Sequence, residues 1–181
     1  MLNNILRHSQ KIDPIPYINK GTKILCLTAG LKEECIPIEN IKIDDIVKTY
    51  NSGYKRVIKI GKKEIINDIS KIYQSMRILY KNEITKENLI VSGSQCILVD
   101  NVSNREIGFH KYYKEPLHRI NDKILLLAAA SDKFVLLNNR DTYTVYHFVL
   151  ENDGDKNQKY GVWANNTLVQ SISENVYDKY N

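Results

Sequence analysis

The sequence predicts an all-β domain of short antiparallel strands. Three observations predict it. Short apolar runs recur at regular intervals, with the length of strands rather than helices. Turn-forming residues punctuate those runs, among them Gly30, Asn51-Ser52-Gly53, Ser92-Gly93-Ser94 and Asn165-Asn166. The chain has 181 residues and is 43% hydrophobic, which suits one domain with its own core and argues against disorder throughout.

Residues 1–16 end in Asp13-Pro14-Ile15-Pro16. Two prolines so close favour an extended backbone and oppose a helix, so this stretch reads as an N-terminal arm. Lys23-Ile24-Leu25-Cys26-Leu27 then forms a strand, and Glu34-Cys35-Ile36-Pro37-Ile38 a second, joined in a hairpin across Ala29-Gly30-Leu31. Pro37 has no N–H to donate to a ladder, which places the second strand at an edge or bulge. Ile38 to Ile43 fits a single helical turn. Strands follow at Ile46–Tyr50 and Tyr54–Ile60, separated by Asn51-Ser52-Gly53.

Asn67 to Tyr80 is open between strand and helix. Leu89-Ile90-Val91 and Cys96 to Asp100 flank the tight Ser92-Gly93-Ser94 segment. The polar stretch 101–120 reads as a long loop. Strands return at Ile124–Ala128, Phe134–Leu137, Tyr143–Glu151, Tyr160–Ala164 and Thr167–Ser171. Asn165-Asn166 joins the last two, because asparagine tolerates the positive φ of a two-residue hairpin turn. Residues 172–181 read as a C-terminal tail. There is no fixed-period repeat and no low-complexity tract.

Composition narrows the function classes. No apolar run approaches the roughly 20 residues of a membrane helix, and MLNNILRHSQ has no apolar core of a secretory signal. The expectation is therefore no membrane partner. Net charge is +5, from 26 basic and 21 acidic residues spread along the chain, an excess too small and diffuse to argue for nucleic acid. Cys26, Cys35 and Cys96 match no zinc spacing, and free thiols in a reducing compartment such as the cytoplasm are expected. No metal and no cofactor is expected. Lys, Asn and Ile dominate, all with AT-rich codons, as in many giant DNA viruses but also in many bacteria and protists.

Three segments in register carry a resemblance. Gly21-Thr22-Lys23-Ile24 is followed by Ile36-Pro37-Ile38-Glu39-Asn40-Ile41-Lys42-Ile43-Asp44-Asp45-Ile46-Val47-Lys48-Thr49-Tyr50. Leu89-Ile90-Val91-Ser92-Gly93-Ser94-Gln95-Cys96-Ile97-Leu98-Val99-Asp100 forms the second block. Val145-Tyr146-His147-Phe148-Val149-Leu150-Glu151, then Tyr160-Gly161-Val162-Trp163-Ala164-Asn165-Asn166-Thr167-Leu168-Val169-Gln170-Ser171, forms the third. Together these resemble the blocks of Hint domains, the self-cleaving fold of inteins and Hedgehog proteins. The runs at Lys48, Leu98 and Tyr146 are similar to those of Hint proteins of giant DNA viruses. The resemblance spans residues 17–171 and implies a horseshoe of short antiparallel strands with pseudo-two-fold symmetry.

The resemblance also implies where cleavage chemistry would sit, and at those places the residues depart from the family. A Cys or Ser four positions before the Gly-Thr glycine attacks the preceding carbonyl; here that position is Tyr17, whose phenol oxygen stands too far along a rigid ring. No Cys, Ser or Thr lies between Lys11 and Gly21. The second-block Thr corresponds to Ser92. The histidine that protonates the scissile amide corresponds to Gln95, which has no protonation change near neutral pH. The closing His-Asn pair corresponds to Gln170-Ser171, and serine has no amide with which to cyclise. His147 alone keeps a family-like ionisable group. Proton transfer by itself contributes ~10²–10⁴-fold, so with the nucleophile also gone no active catalytic residue is expected, and the chain is not expected to be an enzyme.

Each feature also has a plainer reading. His147, between Tyr146 and Phe148, fits a hydrogen-bonded core or edge residue. Cys96, before Ile97-Leu98-Val99, fits a buried small hydrophobe rather than a displaced nucleophile. Cys26 and Cys35 could face each other across their hairpin as a metal site or redox pair, though two free thiols in a β pair are the plainer reading. The run His110 to Arg119 mixes bases with Tyr112 and Tyr113; it fits single-strand stacking or a solvated loop. The alternating Tyr54 to Lys63 stretch fits a solvated strand face, and Tyr160 and Trp163 fit a core or interface. The leading expectation is an inactive Hint-type structural or interaction protein, such as a minor capsid or other virion component partnered by other capsid proteins. The alternatives are self-cleavage near Pro16-Tyr17 and a nucleic-acid-binding β domain.

Overall fold

The computed structural model describes residues 15–83 and 85–180. Along the chain run β1 (Ile18–Asn19), β2 (Lys23–Leu27), β3 (Glu33–Pro37), one 3₁₀ turn at Ile38–Asn40, β4 (Ile46–Lys48), β5 (Tyr54–Ile66), β6 (Met76–Leu79), β7 (Leu89–Ser92) and β8 (Cys96–Val99). Then come α1 (Asn104–Tyr113), β9 (Arg119–Ile120), β10 (Lys123–Leu127), β11 (Val135–Leu136), β12 (Thr142–Leu150), β13 (Gly161–Ala164), β14 (Thr167–Gln170) and α2 (Glu174–Tyr180). The fold is all-β in character, and its named ladders are antiparallel.

The strands join in the order β11-β6-β7-β1-β12-β5-β4-β2-β13-β14-β8-β10-β9, with β3 attached to β2. The long β5 connects the two halves. Its first residues pair with β4 and the rest, Val57 to Ile66, with β12. β3 pairs only with β2 among the described residues, so Pro37 costs no ladder bond on its open side. Asn165 and Asn166 turn the β13–β14 hairpin with φ of 45° and 63°, the mirror-image turn geometry that suits strand twist.

The main core is built by inward-facing residues of both halves, including Ile24, Val47, Val57, Leu89, Val91, Leu126, Phe148, Val162 and Val169. A smaller cluster joins Ile15, Tyr17, Met76 and Val145, with Val176 of α2 packed on it. Ile15 and Tyr17, at the start of the described residues, therefore meet α2 at one place. Residues 1–14 of the expected arm lie outside the described residues; Ile15 and Pro16 are buried.

Several expectations need correction. The expected 101–120 loop holds α1, whose N-terminus is a reciprocal cap: Ser103 accepts from the Glu106 N–H and Glu106 accepts from the Ser103 N–H. Residues 67–80 resolve into turns followed by β6. β5 runs six residues beyond the expected Ile60, because β12 supplies a partner along that whole length. The expected tail folds into α2 as far as Tyr180. Cys26 pairs with Glu34 and Cys35 with Leu25; this one-residue offset puts the thiols on opposite faces, one buried and one exposed.

Candidate functional site

The turn between β7 and β8 is forced by its glycine. A Cβ on Gly93 would strike the Ile72 carbonyl and lie 3.2 Å from Tyr73 Cα. With that close approach, the Gly93 N–H donates to the Ser75 carbonyl at 2.9 Å and the Ser94 N–H to the Tyr73 carbonyl at 2.7 Å. The turn thus presents Ser92, Ser94 and Gln95, all buried, to the segment that carries Tyr17.

Tyr17 is tied to Ser92 twice. Its N–H donates to Ser92 Oγ at 3.0 Å, and its carbonyl accepts from the Ser92 N–H at 3.0 Å. Ser94 Oγ donates to the Ile15 carbonyl at 3.1 Å and lies 2.9 Å from Ser92 Oγ. A hydroxyl has one proton. Ser94 gives its proton to Ile15, so Ser92 must donate to Ser94. The result is a directed chain: Tyr17 N–H to Ser92, Ser92 to Ser94, Ser94 to the Ile15 carbonyl. It clamps the backbone on both sides of Pro16, the residue that has no N–H of its own.

Gln95 continues the site toward β14. Its side-chain amide donates to the Gln170 carbonyl at 2.9 Å and to the Cys96 carbonyl at 3.0 Å. Its Oε1 is sealed from solvent without a donor among the described residues. Ser171 does not face Gln95. It pairs with Tyr160, whose N–H donates to Ser171 Oγ at 3.0 Å and whose carbonyl accepts from the Ser171 N–H at 2.8 Å.

His147 approaches Tyr17 from the other side. The two rings lie 5.5 Å apart, and Tyr177 of α2 meets His147 edge-on at the same separation. His147 is 3% exposed and stands opposite Gly61 of β5. Lys63 Nζ sits 6.0 Å from the Tyr17 ring centre. Lys59 holds α2 in place by ion pairs to Glu174 at 3.0 Å and Asp178 at 2.5 Å, and the Tyr177 hydroxyl donates to the Ile60 carbonyl at 3.0 Å.

Of the six positions singled out in the sequence, the structure brings Tyr17, Ser92, Gln95, His147 and the Gln170 backbone together and leaves Ser171 facing Tyr160. Ser94, which closes the hydroxyl chain, was not singled out. Its only signal was membership of the same tight turn.

Chemically, the arrangement holds an amide rather than attacking it. Ser92 Oγ accepts the Tyr17 N–H and so lies on the N–H side of the amide, in its plane, whereas attack on a carbonyl comes from above that plane. The thiols offer no substitute. Burial pushes Cys26 and Cys96 up to about 12, which leaves them protonated at neutral pH. No group of three or more His, Cys, Asp or Glu side chains that could hold a metal ion occurs among the described residues.

The basic run at 110–119 is separate from this site. α1 presents Lys111, Tyr112 and Lys114 at the surface, Tyr112 with 80% exposure. Beyond it His118, Arg119, Asp155 and Lys159 line an open cleft of about 360 Å³. No helix among the described residues is long and apolar enough to cross a membrane. Comparison of the sequence with protein-family models and with curated proteins gave no match.

Proposed function

We propose that this chain is a Hint-type domain without cleavage chemistry that serves as a structural or interaction component, in a setting such as the particle of a giant DNA virus. The observation that carries the reading is the state of the Pro16–Tyr17 amide. Its N–H is committed to Ser92, whose own proton is committed to Ser94. The neighbouring side-chain amide of Gln95 spends its donors on two backbone carbonyls. Cleavage at this bond requires a nucleophile on the carbonyl and a proton for the departing nitrogen. A phenol on a rigid arm and a neutral amide supply neither. The horseshoe shape, the pseudo-two-fold relation and the placement in a virion rest on the sequence resemblance and the AT-rich composition. Fold alone does not fix function.

The test is the intact mass of freshly purified full-length protein, followed over days at neutral pH. The expected result is a single species at 21.0 kDa. Release of residues 1–16 as a separate fragment would establish self-cleavage and end this reading. Mass spectrometry of purified, chemically cross-linked particles from the source organism tests the placement, with other capsid proteins expected as cross-linked neighbours.

A further inference from the structure

The open cleft of about 360 Å³ beyond α1 is built from three connections. Ser52 comes from the β4–β5 turn, His118 to Asn121 from the approach to β9 and its turn into β10, and Asp155 and Asn157 to Lys159 from the β12–β13 connection. Each wall is held by its own bonds. Asn121 Nδ2 donates to the Tyr50 carbonyl at 3.3 Å and joins the second wall to the first. Arg119 Nη1 donates to the Asp122 carbonyl at 2.9 Å, which ties the guanidinium to the β9–β10 turn. α2 braces the third wall: Asn175 donates its side-chain amide to Asn157 Oδ1 at 2.8 Å and its backbone N–H to the Lys156 carbonyl at 3.0 Å.

With the walls fixed, the cleft is left rich in donors. The side chains of Ser52, His118 and Lys159 enter no hydrogen bond and no ion pair among the described residues. Arg119 has committed one N–H of its guanidinium fork, and Asn157 keeps its NH₂. Acids are fewer and engaged. Asp155, the one carboxylate of the lining, accepts the Asn157 N–H at 2.9 Å. Asp122, at the end of the second wall, holds the Tyr50 hydroxyl at 2.9 and 3.1 Å. Three basic side chains therefore share one concave space with one engaged acid, and a concave wall of one sign concentrates the field on an anion.

The lining narrows the ligand. The volume lies within the roughly 300–1,000 Å³ of small-molecule sites. The lining is mostly polar, with Ile120 and Leu125 its aliphatic members, which suits a hydroxylated ligand. No Phe, Tyr or Trp lines it, so it lacks the stacking platform that single-stranded nucleic acid uses. We propose that this cleft is the seat for a phosphate group, free or carried by a small sugar, with Arg119, Lys159 and His118 as its cationic donors and Ser52 and Asn157 as its neutral ones. None of the Tyr17–Ser92 contacts enters this site, so it stands whether or not the reading of that clamp holds.

Nuclear magnetic resonance tests it. The ¹⁵N-labelled full-length protein is titrated at neutral pH and constant ionic strength with sodium phosphate, glucose 6-phosphate and a short oligothymidylate. Phosphate and glucose 6-phosphate are expected to give saturable shifts confined to the amides of Ser52, 118–121 and 155–159. Arg119→Gln and Lys159→Gln should each weaken that binding about tenfold or more, the loss of one charge-assisted hydrogen bond, with the rest of the spectrum unchanged as proof of fold. Lys111→Gln, which removes an exposed base of α1 outside the cleft, should leave the affinity as it was. Tighter binding of glucose 6-phosphate than of phosphate identifies a sugar phosphate as the ligand, and equal binding identifies free phosphate. No saturable shift, equal weakening by Lys111→Gln, or a response to the oligonucleotide alone would overturn the proposal.

Discussion

The contact between Gly61 and His147 gives a sharp test of how the site is packed. Gly61 sits directly opposite His147. A Cβ placed there would stand 2.5 Å from the imidazole Cε1, 3.0 Å from Cδ2, and closer still to Nε2. The ring has no free direction in which to retreat, since Tyr17 and Tyr177 pack on it at 5.5 Å each. Gly61 does not have positive φ, so alanine fits the backbone and should gain about 0.5–1 kcal/mol from reduced chain entropy. Overpacking costs about 1–3 kcal/mol, so Gly61→Ala should be a net destabiliser. For a domain of this size each 1 kcal/mol moves Tm by about 2–4 °C. The decisive measurement is a double-mutant cycle by urea unfolding. In a His147→Ala background the obstruction is gone, and the same Gly61→Ala change should become neutral or stabilising. If Gly61→Ala costs the same in both backgrounds, the imidazole is not what fills the space above β5.

Further outcomes follow from the same geometry. Ser92→Ala leaves the buried Tyr17 N–H without its acceptor and should lower stability in urea unfolding by about 1–3 kcal/mol; an unchanged midpoint would mean the hydroxyl chain is incidental. In a thiol titration with a chromogenic disulfide reagent at pH 7.5, Cys35 should react at once and Cys26 and Cys96 only after denaturation, because burial holds those two thiols at about 12; rapid reaction of all three contradicts this. The docking of α2 should fail on acidification. Asn152 first, and Lys59 next, hold the Glu174 carboxyl below its usual range, so its stabilising contribution is full above the unfolded value of about 4.3 and is lost as pH falls through the lower folded value. Limited proteolysis should therefore trim α2 near pH 3 and spare it from pH 5 to 8, and Lys59→Met should be trimmed faster than the wild type at every pH.

What could be read in the sequence follows from how local its cause is. The hairpin at Asn165-Asn166, the edge position of Pro37 and most strand cores depend on residues within one turn or strand, and these were expected. α1 was not. Its two buried residues are Glu106 and His110, so it lacks the apolar periodicity by which a helix announces itself, although Ser103 and Glu106 stood at capping-box spacing. The Cys26–Cys35 hairpin was correctly placed but its register was not, and one residue of slip changes a facing pair into opposite faces. The meeting of Tyr17, Ser92 and Gln95 was readable as block order. The role of Ser94 was not, since it depends on the Ile15 carbonyl that the fold brings beside the turn.

The site's residues each meet a packing or hydrogen-bonding need of the fold. A neutral amide at position 95 carries two N–H donors, and both are used, one on the Cys96 carbonyl and one on the Gln170 carbonyl of β14. A neutral imidazole has only one N–H and would leave one of these backbone groups unmet. The Tyr17 ring fills a cluster with Ile15, Met76 and Val145, a volume that a short nucleophilic side chain would leave partly empty, at a cost that grows with the cavity. Ser171 accepts the Tyr160 N–H at the mouth of the β13–β14 hairpin. Each of these side chains closes a bond or a gap between strands distant in sequence, and together they join the N-terminal segment, the β7–β8 turn and α2 into one unit. The Pro16–Tyr17 bond therefore lies within a segment held by hydrogen bonds from Ser92 and Ser94 and by the packed Tyr17 ring.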